Sequence, residues 1–176
     1  MLADDGPMIT TRRLKLSPFS SDDTAEHFEA VVSQPRVARW LPGGLPGTPD
    51  QASALTAAFA AHWDQRGYGV FVVRDRDTGR FVGRCGLRYL PELDDVELLY
   101  AFRPKAWGRG LATEAARACV DDGFDRVGLP HVIALVLPDN TASLRVLERT
   151  GMSPDGQLTI FGLHVTRFRL VNDRQV

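Results

Sequence analysis

The fold is decided by the stretch Glu97-Leu-Leu-Tyr-Ala-Phe-Arg-Pro-Lys-Ala-Trp-Gly-Arg-Gly-Leu-Ala-Thr-Glu114. It reads as a strand, a tight glycine-bearing loop and the first turn of a helix. The strand pattern runs through Phe102, and Pro104 ends it because proline has no N–H to give a sheet ladder. Gly108 and Gly110 carry no side chain, so a ligand can lie directly against their backbone. The first amides of the helix that follows have no internal partner, and its dipole favours an anion there. A strand feeding such a turn describes a phosphate cradle.

Downstream of the cradle, Leu111–Val127 is alanine-rich and free of proline, which predicts a helix, and Gly128-Leu-Pro130 closes it. His131–Leu137 is a continuous apolar run, as expected of a strand buried on both faces. Asn140 suits the N-cap of a second helix and Gly151 its C′ position. Met152–Val171 predicts a closing hairpin with its turn near Phe161-Gly162. Upstream, Tyr68–Arg74, Arg80–Leu90 and Asp95–Phe102 alternate as strands, joined by turns at 75–79 and 91–94. Before them, Thr48-Pro49-Asp50-Gln51 has the form of a capping box with proline at N1; Leu55, Phe59 and Trp63 follow at helical spacing, and Gly67 stops the helix. Met8–Ser17 is expected to be one half-buried strand. Ser20–Asp23 opens a helix to about Ser33, and Arg36–Pro46 holds a short turn and a loop. Residues 1–7 are expected to form a flexible tail.

The chain has 176 residues and a formal net charge of −1. That length fits one domain, 1–176, with a sizeable core. The near-neutral charge gives no electrostatic case for nucleic acid or an anionic membrane. No apolar run reaches the length of a membrane span, and the acidic N-terminus lacks a signal-peptide core. Cys85 and Cys119 lie far apart with no metal-ligand spacing, as expected of two reduced, buried thiols in a cytoplasmic protein. The four histidines show no metal or triad spacing, so no metal is expected. The reading is an α+β domain built on one mixed sheet.

Two motifs carry a resemblance: Lys105-Ala-Trp-Gly108-Arg-Gly110-Leu-Ala-Thr-Glu114, and Asn140-Thr-Ala-Ser143 opening Leu-Arg-Val-Leu-Glu-Arg-Thr-Gly151-Met. A lone Gly-x-Gly is weak, but here it follows a strand and precedes an Asn-x-x-Ser helix start by about thirty residues. The chain resembles the GCN5-related N-acetyltransferase (GNAT) superfamily, and within it the RimJ/RimL-like branch of ribosomal-protein N-terminal acetyltransferases. Lys105 stands where the family usually has Gln or Arg. The resemblance implies a mostly antiparallel sheet with a splayed central strand pair, and acetyl-coenzyme A (acetyl-CoA) as donor. It also implies pyrophosphate binding by Trp107, Gly108, Arg109, Gly110, Leu111, Ala112 and Thr113. The backbone of Ala101, Phe102 and Arg103 would take the pantetheine arm, with Asn140 and Ser143 beside it.

Acetyl transfer to an amine needs a base for the amine, donors for the oxyanion and help for the departing thiolate. Glu97 is the candidate base; the competing reading is a solvated carboxylate on an acidic edge with Asp94 and Asp95. Ser143 is the candidate acid by what the resemblance implies: many superfamily members use a tyrosine on the helix after the buried strand, this helix carries none, and in the RimJ/RimL-like branch a serine at this position lies near the sulfur; the competing reading is a residue that supports the cap. Trp63 belongs to a helical apolar face, and Trp40 is placed to line an acceptor site. The expected partners are acetyl-CoA and an amine, either a protein N-terminus or a small molecule, and the reading allows a homodimer. A non-catalytic acyl-CoA sensor on the same fold is the alternative; it would need neither Glu97 nor Ser143. Dinucleotide binding is disfavoured, because the loop follows a meander and lacks a third glycine.

Overall fold

The computed structural model describes residues 7–174, so the expected tail lies outside the described residues except for Pro7. Eight strands form one sheet in the order β1-β2-β3-β4-β5-β6-β8-β7. They are β1 (Ile9–Thr10), β2 (Leu14–Pro18), β3 (Val70–Asp75), β4 (Phe81–Leu90), β5 (Asp95–Phe102), β6 (His131–Val136), β7 (Ser153–Ile160) and β8 (Leu163–Val171). Every pairing is antiparallel except β5 with β6. The helices are α1 (Thr24–His27), α2 (Pro35–Ala38), α3 (Pro49–Arg66), α4 (Leu111–Asp125) and α5 (Thr141–Thr150).

Local signals explain most of these boundaries. Thr48 Oγ1 accepts from the Gln51 amide, and the Gln51 side chain accepts from the Thr48 amide, so the capping box opens α3. Gly67 ends α3 in the left-handed region at φ 69°. Phe161 and Gly162, both at positive φ, make the turn between β7 and β8, a hairpin geometry that glycine favours.

Three expectations need correction. Met8–Ser17 is two short strands, because Thr11 turns the chain: its amide donates to Leu14 O at 2.9 Å. The helix expected from Ser20 to Ser33 is a 3-10 turn (Ser21–Asp23), one turn of α1, and a π-helix over Phe28–Val32. The wider π turn still buries Ala30 and Val31. The short turn after Arg36 is a helical turn, α2, opened by Pro35 at its first position.

Two apolar clusters sandwich the sheet. Leu98 and Phe102 of β5 join Leu111, Ala115 and Cys119 of α4 on one face. Ala101 and Leu99 of β5 join Val31, Val37 and Phe59 from the early helices on the other. Alternate residues of a strand point to opposite faces. Glu97 therefore shares the face of Leu99 and Ala101, and Tyr100 shares that of α4 and α5.

Candidate active site

The site begins where β5 leaves β6. Eight register pairs tie β5 to β4, and a single pair, Glu97–Ile133, ties it to β6. Beyond that bridge the two strands splay. The Arg103 amide donates to Val82 O at 2.9 Å, so odd-numbered residues of β5 turn their peptide groups to β4 and even-numbered ones turn away. Tyr100 and Phe102 thus present backbone N–H and C=O to the opening. Ala101 does not. Arg103 spends its amide on Val82 and its carbonyl on the Ala106 amide. The expectation that Ala101, Phe102 and Arg103 together offer backbone to a ligand narrows to Phe102, joined by Tyr100. Ladder parity, which no local pattern reveals, decides this. Trp107 Nε1 donates to Phe102 O at 2.8 Å, which leaves that carbonyl one lone pair.

The loop then takes two left-handed turns, at Gly108 (φ 73°) and at Gly110 (φ 74°), the N-cap of α4. Nothing lies within 4 Å of a Cβ built on Gly108, so the surface above the loop is open. The Glu114 amide is the first of α4 to bond within the helix, to Gly110 O, which leaves the amides of Leu111, Ala112 and Thr113 as anion donors. These residues fit a pyrophosphate by the chemistry of their donors. The turn after β1 locks them in place, a feature the sequence pattern did not disclose. Glu114 accepts from Thr11 Oγ1 (2.7 Å), the Arg13 amide (2.8 Å) and Arg13 Nε (2.7 Å), while Arg13 Nη1 donates to Arg109 O at 2.8 Å. Partial burial opposes ionisation of Glu114, but these donors outweigh it and hold the carboxyl below its ordinary value.

A cleft of about 240 Å³ lies at the mouth of the splay, walled by Arg36, Arg39 and Trp40, by Trp107, and by Asn140, Thr141 and Ala142. Trp40 thus lines the site, whereas Trp63 is core, buried with its indole N–H on Val70 O at 2.9 Å. Asn140 caps α5 by accepting from the Ser143 amide at 3.1 Å. Ser143 does more than support the cap: its Oγ lies 2.6 Å from the Tyr100 hydroxyl, which also reaches Ser143 O at 3.2 Å. The sequence placed no tyrosine on this helix. The strand supplies one instead, from 43 positions away. Burial pushes the Tyr100 phenol above its ordinary value, with the Ser143 hydroxyl opposing, so it stays a neutral donor.

Glu97 is not on a solvated edge. It is 7% exposed, and Arg88, its register partner on β4, donates from Nη2 to its Oε2 at 2.7 Å. Burial raises its pKa and the Arg88 cation pulls back, leaving it above the usual carboxylate range. Asp95, grouped with it in the sequence, instead faces His131, whose Nε2 is 2.9 Å from its Oδ1. Cys85 and Cys119 are both buried and free. Among the described residues no helix is long and apolar enough to cross a membrane, and no cluster of three metal-ligating side chains occurs.

Residues 13–153 match the acetyltransferase (GNAT) domain family. Among relatives, the uncharacterized protein YkkB of Bacillus subtilis is 34% identical over 151 residues, 82% of this chain and 84% of that one. Among solved structures, a GNAT-family acetyltransferase from Bordetella pertussis superposes with a TM-score of 0.80 at 27% identity, covering 93% of this chain and 98% of the other. A RimL ribosomal L7/L12 α-N-protein acetyltransferase in complex with coenzyme A gives a TM-score of 0.80 at 15% identity, over 95% and 99% of the two chains, which establishes likeness of fold. With the family match spanning most of the chain, the splayed strands and glycine cradle take their place in a known architecture: the protein belongs to the GNAT family of N-acetyltransferases.

Proposed function

We propose that the protein moves the acetyl group of acetyl-CoA to a primary amine by direct attack within a ternary complex. The observation that carries this reading is the splay of β5 from β6. It has a buried carboxylate on one face, a Tyr100–Ser143 hydroxyl pair on the other and the glycine cradle at its mouth. When bound, the coenzyme supplies the activated acyl group. Gly108, Arg109, Gly110 and the amides of 111–113 would hold its pyrophosphate. The Phe102 and Tyr100 peptide groups would hold the amide-bearing arm, and Trp107 and Asn140 would flank it.

Glu97 takes a proton from the acceptor ammonium, directly or through water, and the free amine attacks the thioester carbonyl. Its raised pKa improves it as a base. An α-amine, with a reference pKa of about 8, needs little such help, and a lysine, near 10.4, needs more. The carbon–sulfur bond then breaks. The attacking nitrogen sheds its second proton as it becomes the amide, and the Ser143 hydroxyl would relay that proton to the departing sulfur, with the Tyr100 hydroxyl 2.6 Å away holding Ser143 Oγ in place. Tyr100 thus acts through Ser143 as a positioning residue, because net proton loss from its buried phenol is unfavourable. The products are the N-acetylated amine and the free thiol. A peptide N-terminus and a small amine share this chemistry. A thiol-release assay over peptides and small amines tests the reading. Turnover that falls sharply in Glu97→Gln and Ser143→Ala supports it, and coenzyme binding without turnover on any amine overturns it.

A further inference from the structure

Among the described residues two ionised side chains are buried, Glu97 and Arg84. They share one face of adjacent strands, since Arg88 lies opposite Glu97 and Arg84 opposite Ala101. Glu97 has a counter-ion and Arg84 has none. Arg84 Nη1 lies 2.9 Å from His27 Nε2, and His27 Nδ1 lies 3.3 Å from Thr56 Oγ1. Arginine only donates. Nε2 is therefore the acceptor, the imidazole proton is on Nδ1, and His27 is neutral. The guanidinium lies 5.3 Å from the Phe59 ring centroid, which supplies no negative charge. Of the acidic residues of the nearby 3-10 turn and α1, Asp23 and Glu26 are both engaged on Arg74, and Asp22 makes no ion pair with Arg84.

A buried cation without an anion is costly, and proteins rarely keep one idle. The edge of Arg84 left over is the Nε–Nη2 edge. Nε is sealed and has no partner, whereas Nη2 is neither bonded nor sealed. Nη2 is thus the one nitrogen of Arg84 left to donate to an incoming carboxylate oxygen, in a charge-assisted hydrogen bond. The rim agrees in sign. Arg36 stacks on Trp107 (4.9 Å) and Arg39 on Trp40 (4.5 Å) at the mouth of the site. Neither pairs with a carboxylate among the described residues.

We propose that the acceptor is an amine that also bears a carboxylate, and that Arg84 is the group that pairs with it. This rests on the acetyl-transfer reading above. Arg84 and Glu97 stand four register positions apart, about 13 Å along the strands. The amine and the carboxylate are therefore separated by several bonds, as in a dipeptide, an ω-amino acid or a peptide with an acidic residue behind its N-terminus. A polyamine is the wrong charge.

Three arms test it. Wild-type enzyme is assayed on dipeptides, ω-amino acids and an Asp-containing peptide with a blocked C-terminus, each against its amide counterpart, with spermidine as a cationic control. At least about tenfold preference for the acid is expected, the size of one charged pair. Equal use of amides or spermidine overturns the proposal. Arg84→Met should keep the wild-type melting temperature or raise it, keep KM for acetyl-CoA within about twofold and shrink the acid preference to under about threefold. A retained preference, an equal loss on acid and amide, or a misfolded variant whose Arg84→Lys counterpart is also misfolded makes Arg84 purely structural. The third arm needs no turnover: calorimetric binding of N-acetylated dipeptides and their amides to the wild-type coenzyme A complex. Tighter binding of the acid upholds the anion site even if no amine is acetylated. Equal binding removes it even if acetyl transfer is real.

Discussion

Acid should destabilise this protein before its carboxylates titrate, and His27 is the cause. Its ring is fully buried, with the Phe19, Phe81 and Phe59 ring centroids at 5.0, 6.0 and 6.2 Å. Its Nε2 already accepts from Arg84, so a second proton would break that bond and set two cations side by side. Burial first, then the Arg84 charge, lower its pKa from 6.5 to about 3. The unfolded chain takes up this proton near 6.5 and the folded one only near 3, so between these values the unfolded state holds more protons. The contribution is complete above pH 6.5 and is lost as pH falls toward 3. Each pH unit in that window removes about 1.4 kcal/mol, so about 2 kcal/mol is gone at pH 5, out of the roughly 5–15 typical of a domain. His62 shifts in the same direction, lowered chiefly by burial with the Tyr68 carbonyl opposing, so the comparison must be between variants. His27→Gln keeps an acceptor for Arg84 and a donor for Thr56 but cannot ionise. Urea unfolding at pH 7, 6 and 5 should show wild type losing about 2 kcal/mol more than His27→Gln between pH 7 and pH 5, most of it below pH 6. Parallel pH dependences in the two proteins would refute the assignment of a buried, neutral His27.

Three further outcomes follow from the site. Glu97→Gln should lower kcat by about 10²–10⁴ with KM for acetyl-CoA nearly unchanged, and should abolish the acid limb of the kcat–pH profile, since a base works only when deprotonated; steady-state kinetics across pH reads both. Tyr100→Phe should cost roughly tenfold in kcat and Ser143→Ala more, and the double variant should be no worse than Ser143→Ala alone, because the phenol acts through that hydroxyl. Gly110→Ala forces a side chain into the left-handed region at φ 74°, so it should destabilise the fold by about 1–2 kcal/mol and weaken coenzyme binding, which thermal melts and calorimetry separate.

How far the sequence could be read depends on the range of the interaction. Thr48 with Gln51, Gly67, Phe161-Gly162 and the Gly108–Gly110 loop announce themselves, because each satisfies backbone groups within a few residues. Met8–Ser17 and Ser20–Ser33 misled for a complementary reason. Their apolar patterns were real, but the Thr11 turn, which Glu114 grips from 103 positions away, split the first into two strands, and the second contains a π turn. The chemistry lies at the far end of that scale. Asp94 and Asp95 made Glu97 look like part of an acidic edge. Register set Arg88 opposite Glu97, and β5 parity turned it inward, so neighbours in sequence have different fates. Tyr100 meets Ser143 across 43 positions and Arg84 meets His27 across 57, separations that no local window spans. The same parity places Tyr100 toward α5 and Glu97 toward α1 and α3. On the proposed mechanism one strand thus separates the face where the thiolate departs from the face where the amine enters. The unpaired Arg84 lies on the same face as Glu97, four register positions along the ladder, so on the proposed reading selection of the acceptor and its deprotonation fall to adjacent strands of one sheet.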